Sequence, residues 1–262
     1  MDYHGQIAVV TGASSGLGRR FALDLAEAGA VVIGVARRAE LLESLCDQMR
    51  PKSFQSCTVE CDVSDVPGFA RMLGGIEDEW GRIDILINNA GIGQPRSDHD
   101  DVAAQRLVME TNYFAPVAGT LAVLPGMRAR RHGVIVNVSS DSGRAPSPQE
   151  SAYGPSKSAL SAFTESMAFA TDGSGVHLHV LYPGWVPTPM GSAAVDHGMP
   201  TPPKMMRRSE EQVSQLLLSR MGGPKVDIDA TLLARLAPAV RSLVPGLYRR
   251  GVRRFASAGD RT

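Results

Sequence analysis

Cysteine is scarce: the 262 residues contain only Cys46, Cys57 and Cys61. Three thiols at that spacing, beside histidines that form no cluster, support neither a disulfide scaffold nor a structural zinc site. A surplus of positive charge is missing too. The 27 Lys and Arg are matched by 27 Asp and Glu, which removes the main electrostatic reason to expect a nucleic-acid partner. No run of about 20 apolar residues occurs. The chain opens MDYHGQ, without a basic and then apolar leader, so a soluble cytoplasmic protein is expected. Linkers, internal repeats and low-complexity tracts are absent from the first 185 residues. One domain over 1–262 is therefore the economical arrangement.

What is present is a repeating apolar pattern. QIAVVT (6–11), VVIGVA (31–36), FQSCTVE (54–60), IDILIN (83–88), GVIVNVS (133–139) and VHLHVLY (176–182) read as strands. Several are nearly continuous apolar runs, as a parallel sheet covered on both faces requires. Helical patterns separate them at 17–29, 39–49, 66–80, 101–130 and 152–171. Pro116 and Pro125 are expected to bend or interrupt the fourth. The βαβα order predicts a single-domain α/β fold, a doubly wound parallel sheet with helices on both faces, Rossmann-like. Cys57 and Cys61 fit as small apolar side chains near a buried strand. His177 and His179 alternate along the sixth strand as sheet residues, and no third ligand suggests a metal.

The first strand runs into TGASSGLG, Thr11 to Gly18. Gly12, Gly16 and Gly18 allow a tight turn and a close backbone approach, and the helix start behind them offers N–H groups to a pyrophosphate. The spacing differs from GxGxxG, and the same turn would also serve as a plain strand–helix connection. Ser14, Ser15 and Leu17 complete the candidate cofactor turn. The second strand ends in Ala36, Arg37 and Arg38, where an NAD site usually carries an acid. A carboxylate there would repel the 2′-phosphate of NADP, whereas a guanidinium binds it with a fork of donors. Arg37 is the main candidate, with Ser14 and Arg38 as helpers; two solvated arginines are the plainer alternative.

SAYGPSKSAL (151–160) places Tyr153 and Lys157 four residues apart, on one face of a helix. With TGASSGLG, Asp62–Val63, NNAG at Asn88–Gly91, Asn112, Ser140, this YxxxK pair and Pro183–Gly184 through Thr188, the chain resembles the classical short-chain dehydrogenase/reductase family over roughly residues 5–190. The resemblance implies adenine contacts from Asp62 and Val63, cofactor packing by Asn89, Ala90 and Gly91, and nicotinamide contacts from Pro183, Gly184, Val186 and Thr188. It also implies a catalytic set of Asn112, Ser140, Tyr153 and Lys157. Ser139 adjoins Ser140; the family's separation from the tyrosine selects Ser140.

These side chains suit carbonyl reduction. Tyr153 is the acid in reduction and the base in oxidation. Lys157 stabilises the developing phenolate and binds ribose, and Ser140 hydrogen-bonds the carbonyl oxygen. The resemblance adds a water near Asn112 that links Lys157 to solvent; taken alone, Asn112 would satisfy local backbone groups. Asp62 could likewise simply accept backbone N–H groups, Asn88–Gly91 could shape a strand exit, and Thr188 could be a solvated loop residue. Asp141 and Glu150 read as solvated loop residues.

The expected activity is NADPH-dependent reduction of a moderately hydrophobic ketone or aldehyde, reversible as alcohol oxidation. A 3-oxoacyl thioester reductase and a non-catalytic NADP-binding sensor are the alternatives. Residues 185–220 resemble a substrate lid, with Met190, Met199, Met205 and Met206 as adaptable apolar surface. A homodimer or homotetramer is expected. The C-terminal stretch departs from the family: a short strand is expected around 225–229, then a basic extension over 230–255 broken by Pro238 and Pro245. Arg241, Arg249, Arg250, Arg253 and Arg254 leave no acid from 241 to 255. With Leu243, Leu247 and Phe255 this segment suits either oligomer packing, a solvated tail or peripheral contact with an anionic membrane.

Overall fold

Strands that are apolar on both faces can escape water only inside a sheet covered on both sides. The computed structural model describes residues 1–93, 101–146, 150–196 and 202–259, the last five as backbone alone. In it the expected runs become β1 (Ile7–Thr11), β2 (Val31–Ala36), β3 (Cys57–Glu60), β4 (Ile85–Asn88), β5 (Gly133–Val138) and β6 (Val176–Tyr182). A seventh strand, β7 (Asp227–Asp229), pairs with β6 where the short C-terminal strand was expected. All pairings are parallel, in the order β3-β2-β1-β4-β5-β6-β7. The chain winds outward in both directions from β1 and β4, so the crevice beyond their C-terminal ends is the topological switch point.

Helices α1 (Gly16–Glu27), α2 (Ala39–Met49), α3 (Val66–Trp80), α4 (Val102–Met109), α5 (Ala115–Arg130) and α6 (Tyr153–Ala170) follow the strands. They are joined by α7 (Pro189–Asp196), α8 (Glu210–Arg220), α9 (Leu232–Leu243) and α10 (Pro245–Gly259). Alternate strand residues feed two cores. Val10, Ile87, Val136 and Leu181 pack with Phe21, Leu25, Val213 and Leu217 on one face. Val9, Ile33, Leu86 and Ile135 pack with Phe69, Leu73 and Met127 on the other. Each fully buried Leu, Ile or Phe contributes about 1.5–3 kcal/mol. Local chemistry sets the helix ends: Asp65 accepts from the Gly68 N–H at 3.1 Å to begin α3, and Gly81 ends it.

Several details differ from the sequence expectation. The long fourth helical run is interrupted at a π-helical turn, Glu110–Phe114, rather than at its prolines. Pro116 falls in the first turn of α5, where a missing N–H is harmless, and Pro125 is carried inside the same helix. Although no unbroken apolar stretch of membrane length was read, Val102–Arg130 is long and apolar enough by length and composition; half of its most apolar window is buried in the molecule. Within the expected lid region 185–220, α7 buries no residue, and the helix that follows, α8, packs its Val213 and Leu217 into the core beside α1. Met199 lies outside the described residues.

The basic extension is less broken than expected. Pro245 opens α10, but Pro238 sits inside α9. A proline there has no N–H for the carbonyl four residues earlier, that of Ala234. The Arg144 guanidinium donates to that carbonyl instead, at 3.1 Å, which preserves the helix through the proline.

Candidate active site

The turn after β1 is built for close approach. Gly12 has φ +67°, and a Cβ there would meet Asn89 Nδ2 at 2.8 Å and Ala90 Cα at 2.9 Å. Gly16 has φ +56°, and a Cβ there would lie 3.1 Å from Thr188 Cγ2, so the turn faces the stretch after β6. Ser15, at the N-cap of α1, makes no side-chain cap, which leaves the first-turn N–H groups without that partner. Leu17 packs partly buried against the core. Thr11, which the sequence reading passed over, staples the two central strands. Its hydroxyl accepts from the Asn89 and Ala90 amides, each at 3.0 Å, and its carbonyl accepts from Asn89 Nδ2 at 2.9 Å.

At the end of β2 the two arginines have different partners. Arg38, not Arg37, holds the glycine turn: its Nη2 donates to Ser14 Oγ at 2.7 Å and to Ser15 Oγ at 2.8 Å. Arg37 is exposed and, among the described residues, pairs with Asp62 at 3.5 Å. Burial pushes the Asp62 carboxyl up, but hydrogen bonds from Ser64 and the Arg37 guanidinium outweigh it and hold the group below the usual range. Val63 is buried in the core with Phe69, so its side chain is a packing element.

Ser140, Tyr153, Lys157 and Asn112 are brought together from three places. Ser140 follows β5, Tyr153 and Lys157 share α6, and Asn112 sits in the π-helical turn. The Ser140 hydroxyl is within hydrogen-bond reach of the Tyr153 phenol. Its neighbour Ser139 is turned away, bonded to the Lys157 carbonyl at 3.1 Å and to Ser161 Oγ at 2.8 Å. Lys157 Nζ donates to the Val138 carbonyl at 2.8 Å and lies 5.9 Å from the Tyr153 ring centroid. Asn112 is fully buried; it clasps the Ile92 backbone with two bonds of 2.9 Å and donates to Ser156 Oγ at 3.2 Å. A Cβ on Gly91 would be 3.1 Å from Asn112 Oδ1 and 3.5 Å from Lys157 Nζ. The loop after β4 thus closes over both.

Burial pushes the Tyr153 phenol up to about 12; the nearby Glu150 and Asp141 charges add to this and the Ser140 hydrogen bond opposes it. Burial pulls the Lys157 ammonium down to about 8. The ammonium does not by itself bring the phenol toward neutrality, contrary to the simplest reading of a YxxxK pair. Asp141 also departs from expectation. Both its oxygens are shielded from solvent rather than solvated. Burial lifts its carboxyl to about 6, against the pull of the Arg144 charge, while the Asp229 charge adds to the rise. Burial likewise raises Glu150, opposed by Ser142.

Pro183, Gly184, Val186 and Thr188 follow β6. The Trp185 amide donates to the Met206 carbonyl and the Arg208 amide to the Trp185 carbonyl, each at 2.9 Å, so this stretch is tied to the segment before α8. Val186 is buried in the core. Thr188 Oγ1 accepts from the Gly191 amide at 3.2 Å in the first turn of α7. Arg144 was missed by the sequence reading. It pairs with Asp227 and Asp229, stacks over the Tyr182 ring at 3.4 Å and anchors the loop after Ser140 to β7. The alternating DID of β7, which puts both acids on one face, was the available signal. His179 belongs to the sheet as expected, with Nδ1 on the Lys225 carbonyl at 2.8 Å and Nε2 accepting from the Gly222 amide at 2.9 Å.

A glycine turn at the switch point, beside half-buried Ser140 and Tyr153 and buried Lys157, is the arrangement of an NAD(P)-dependent oxidoreductase for carbonyl or alcohol groups. Residues 6–197 match the short chain dehydrogenase family. The bovine dehydrogenase/reductase SDR family member 7B is 36% identical over 255 residues, covering 92% of this chain and 78% of that protein. A metagenomic short-chain oxidoreductase in complex with NADP is 32% identical, with a TM-score of 0.67 over 70% of this chain and 84% of its own. A short chain dehydrogenase/reductase from Burkholderia phymatum in complex with NAD reaches a TM-score of 0.80 over 94% of this chain and 96% of its own; at 22% identity it speaks for the fold alone. This chain belongs to the classical short-chain dehydrogenase/reductase family.

Proposed function

We propose that this chain uses NADPH to reduce a moderately hydrophobic ketone or aldehyde to the alcohol, and runs the reverse oxidation when alcohol and NADP are supplied. The grouping of Ser140, Tyr153 and Lys157 beside the glycine crevice carries the reading. Glycine at 12 and 16 supports a dinucleotide there, since a Cβ at either position would press on Asn89 and Ala90 or on Thr188 and disturb the turn that would receive the pyrophosphate. Gly12, Ser14, Ser15, Gly16, Leu17 and Gly18 would hold the pyrophosphate, and Asp62 and Val63 the adenine. Asn89, Ala90 and Gly91 would pack the middle of the molecule. Tyr153 and Lys157 would bind the nicotinamide ribose, with Pro183, Gly184, Val186 and Thr188 at the carboxamide. Arg37 and Arg38 replace the usual carboxylate at the end of β2, which favours the 2′-phosphate of NADPH.

When bound, NADPH supplies the hydride that adds to the carbonyl carbon. The chain manages the proton. Tyr153, kept neutral by burial, donates its phenolic proton to the carbonyl oxygen, and Ser140 donates a hydrogen bond to that oxygen as charge grows there. The Lys157 charge favours the phenolate left behind, and a water held beside Asn112 returns the proton through Lys157. The balance is carbonyl, NADPH and one proton giving alcohol and NADP. Exposed Met190 and Met205, with half-buried Met206, support an adaptable apolar wall for the substrate.

The test is a carbonyl panel run with NADPH and with NADH, with the alcohol products identified. NADPH oxidation should require the carbonyl. Arg37→Ala should weaken NADPH about 10–100-fold, the value of lost charged hydrogen bonds, and leave NADH nearly unchanged. Equal losses for both cofactors would remove the phosphate contact; no carbonyl-dependent oxidation with either would remove the enzyme reading.

A further inference from the structure

The basic extension forms a folded surface with an unusual composition. On α9, Leu232, Leu236, Ala239 and Leu243 recur at intervals of four, three and four, which lines them along one helical face. That face points outward: Leu232 is 67% exposed and Leu243 81%, and Val244 and Leu247 continue it into α10. The opposite face of α9 is the one that packs, through buried Ala234 and Ala237. Six arginines accompany the leucines, at 235, 241, 249, 250, 253 and 254, and no acid occurs from Ala230 to Gly259. The remaining 232 residues hold all 27 acids against 21 of the Lys and Arg, so the even overall charge hides one strongly cationic end.

Hydrogen bonds tie the surface to the rest of the fold. Arg144 and Thr231 fix the first turns of α9, Arg241 donates to the Arg144 carbonyl at 3.2 Å, and the Tyr248 hydroxyl donates to the Pro146 carbonyl at 3.3 Å. Exposed leucines in a stretch rich in arginine and without acids match a surface that is apolar within and negative at its face. A second copy of the same surface would set arginines against arginines. A nucleic acid would engage the arginines but leave the leucines in water.

We propose that the outer surface of α9 and α10 docks on an anionic lipid surface, the α9 leucines entering the acyl boundary and the α10 arginines meeting the headgroups. Docking there brings the stretch after Ser140 close to the lipid, yet it does not depend on which reaction the site performs.

The test is flotation of the full chain with vesicles of phosphatidylcholine alone and of phosphatidylcholine mixed with phosphatidylserine. Binding to the mixed vesicles should exceed binding to neutral ones by at least about tenfold and weaken as salt screens the charges. Leu236→Ser with Leu243→Ser should cut that binding by about tenfold or more, each leucine having lost its apolar contact. Arg250→Gln with Arg254→Gln should act similarly, at roughly fivefold per charge. Circular dichroism should stay unchanged in both. Equal binding to neutral vesicles, no binding to either, or variants that bind like the parent would overturn the proposal. So would retention on heparin without vesicle binding, or an oligomer that the leucine variants dissolve without any vesicle binding.

Discussion

Burial moves Tyr153 and Lys157 in opposite directions, the phenol up to about 12 and the ammonium down to about 8. Reduction needs a neutral phenol and a charged ammonium, and both hold below about pH 8. As pH rises through that value Lys157 loses its charge, and the phenolate left after proton donation loses its support. The kcat/KM for carbonyl reduction should therefore be level in the neutral range and fall above about pH 8. Lys157→Met should abolish this limb as well as lower the rate. Tyr153→Phe should lower kcat about 10²–10⁴-fold while cofactor binding, followed by NADPH fluorescence, persists. A flat profile through pH 9, or a fully active Tyr153→Phe enzyme, would contradict the assigned proton path.

At the scale of single elements, α9 depends on a residue far from it in the chain. Arg144 supplies the donor that Pro238 lacks, and it neutralises Asp227 and Asp229 on β7. Arg144→Met leaves two acids and one carbonyl without that partner. It should cost about 2–3 kcal/mol in urea unfolding, below the fully buried limit because Asp227 is half exposed. Pro238→Ala restores an N–H to the Ala234 carbonyl, so the arginine substitution should cost measurably less in that background. Equal costs in both backgrounds would show that the guanidinium does not support the helix.

For the molecule as a whole, the apolar run from α4 through α5 has two faces. One is buried against the sheet and α3. The other presents Leu107, Phe114 and Leu121, spaced seven residues apart and each about half exposed. A second copy would cover them, and this face carries none of the cationic excess that disfavours self-association at α9. Light scattering should give a mass of at least two chains, and Leu121→Glu should release a species of 27.9 kDa. A parent protein already at the single-chain mass would exclude this interface.

The order of strands and helices, the two-sided sheet and the shared helix face of Tyr153 and Lys157 were legible from the residues, because apolar periodicity and short spacings are local properties of a chain; Ser140 joined them through the family resemblance. Even Arg37 and Arg38 could be placed by counting from the end of a strand. Tertiary structure alone decided that Arg38 grips Ser14 and Ser15, that Ser139 bonds the Lys157 carbonyl and Ser161, that Asp141 is shielded, and that α9 runs through Pro238. Each of these rests on contacts between segments distant in sequence. Desolvation and hydrogen-bond partnership there depend on what the fold brings alongside, which no local pattern of residues encodes.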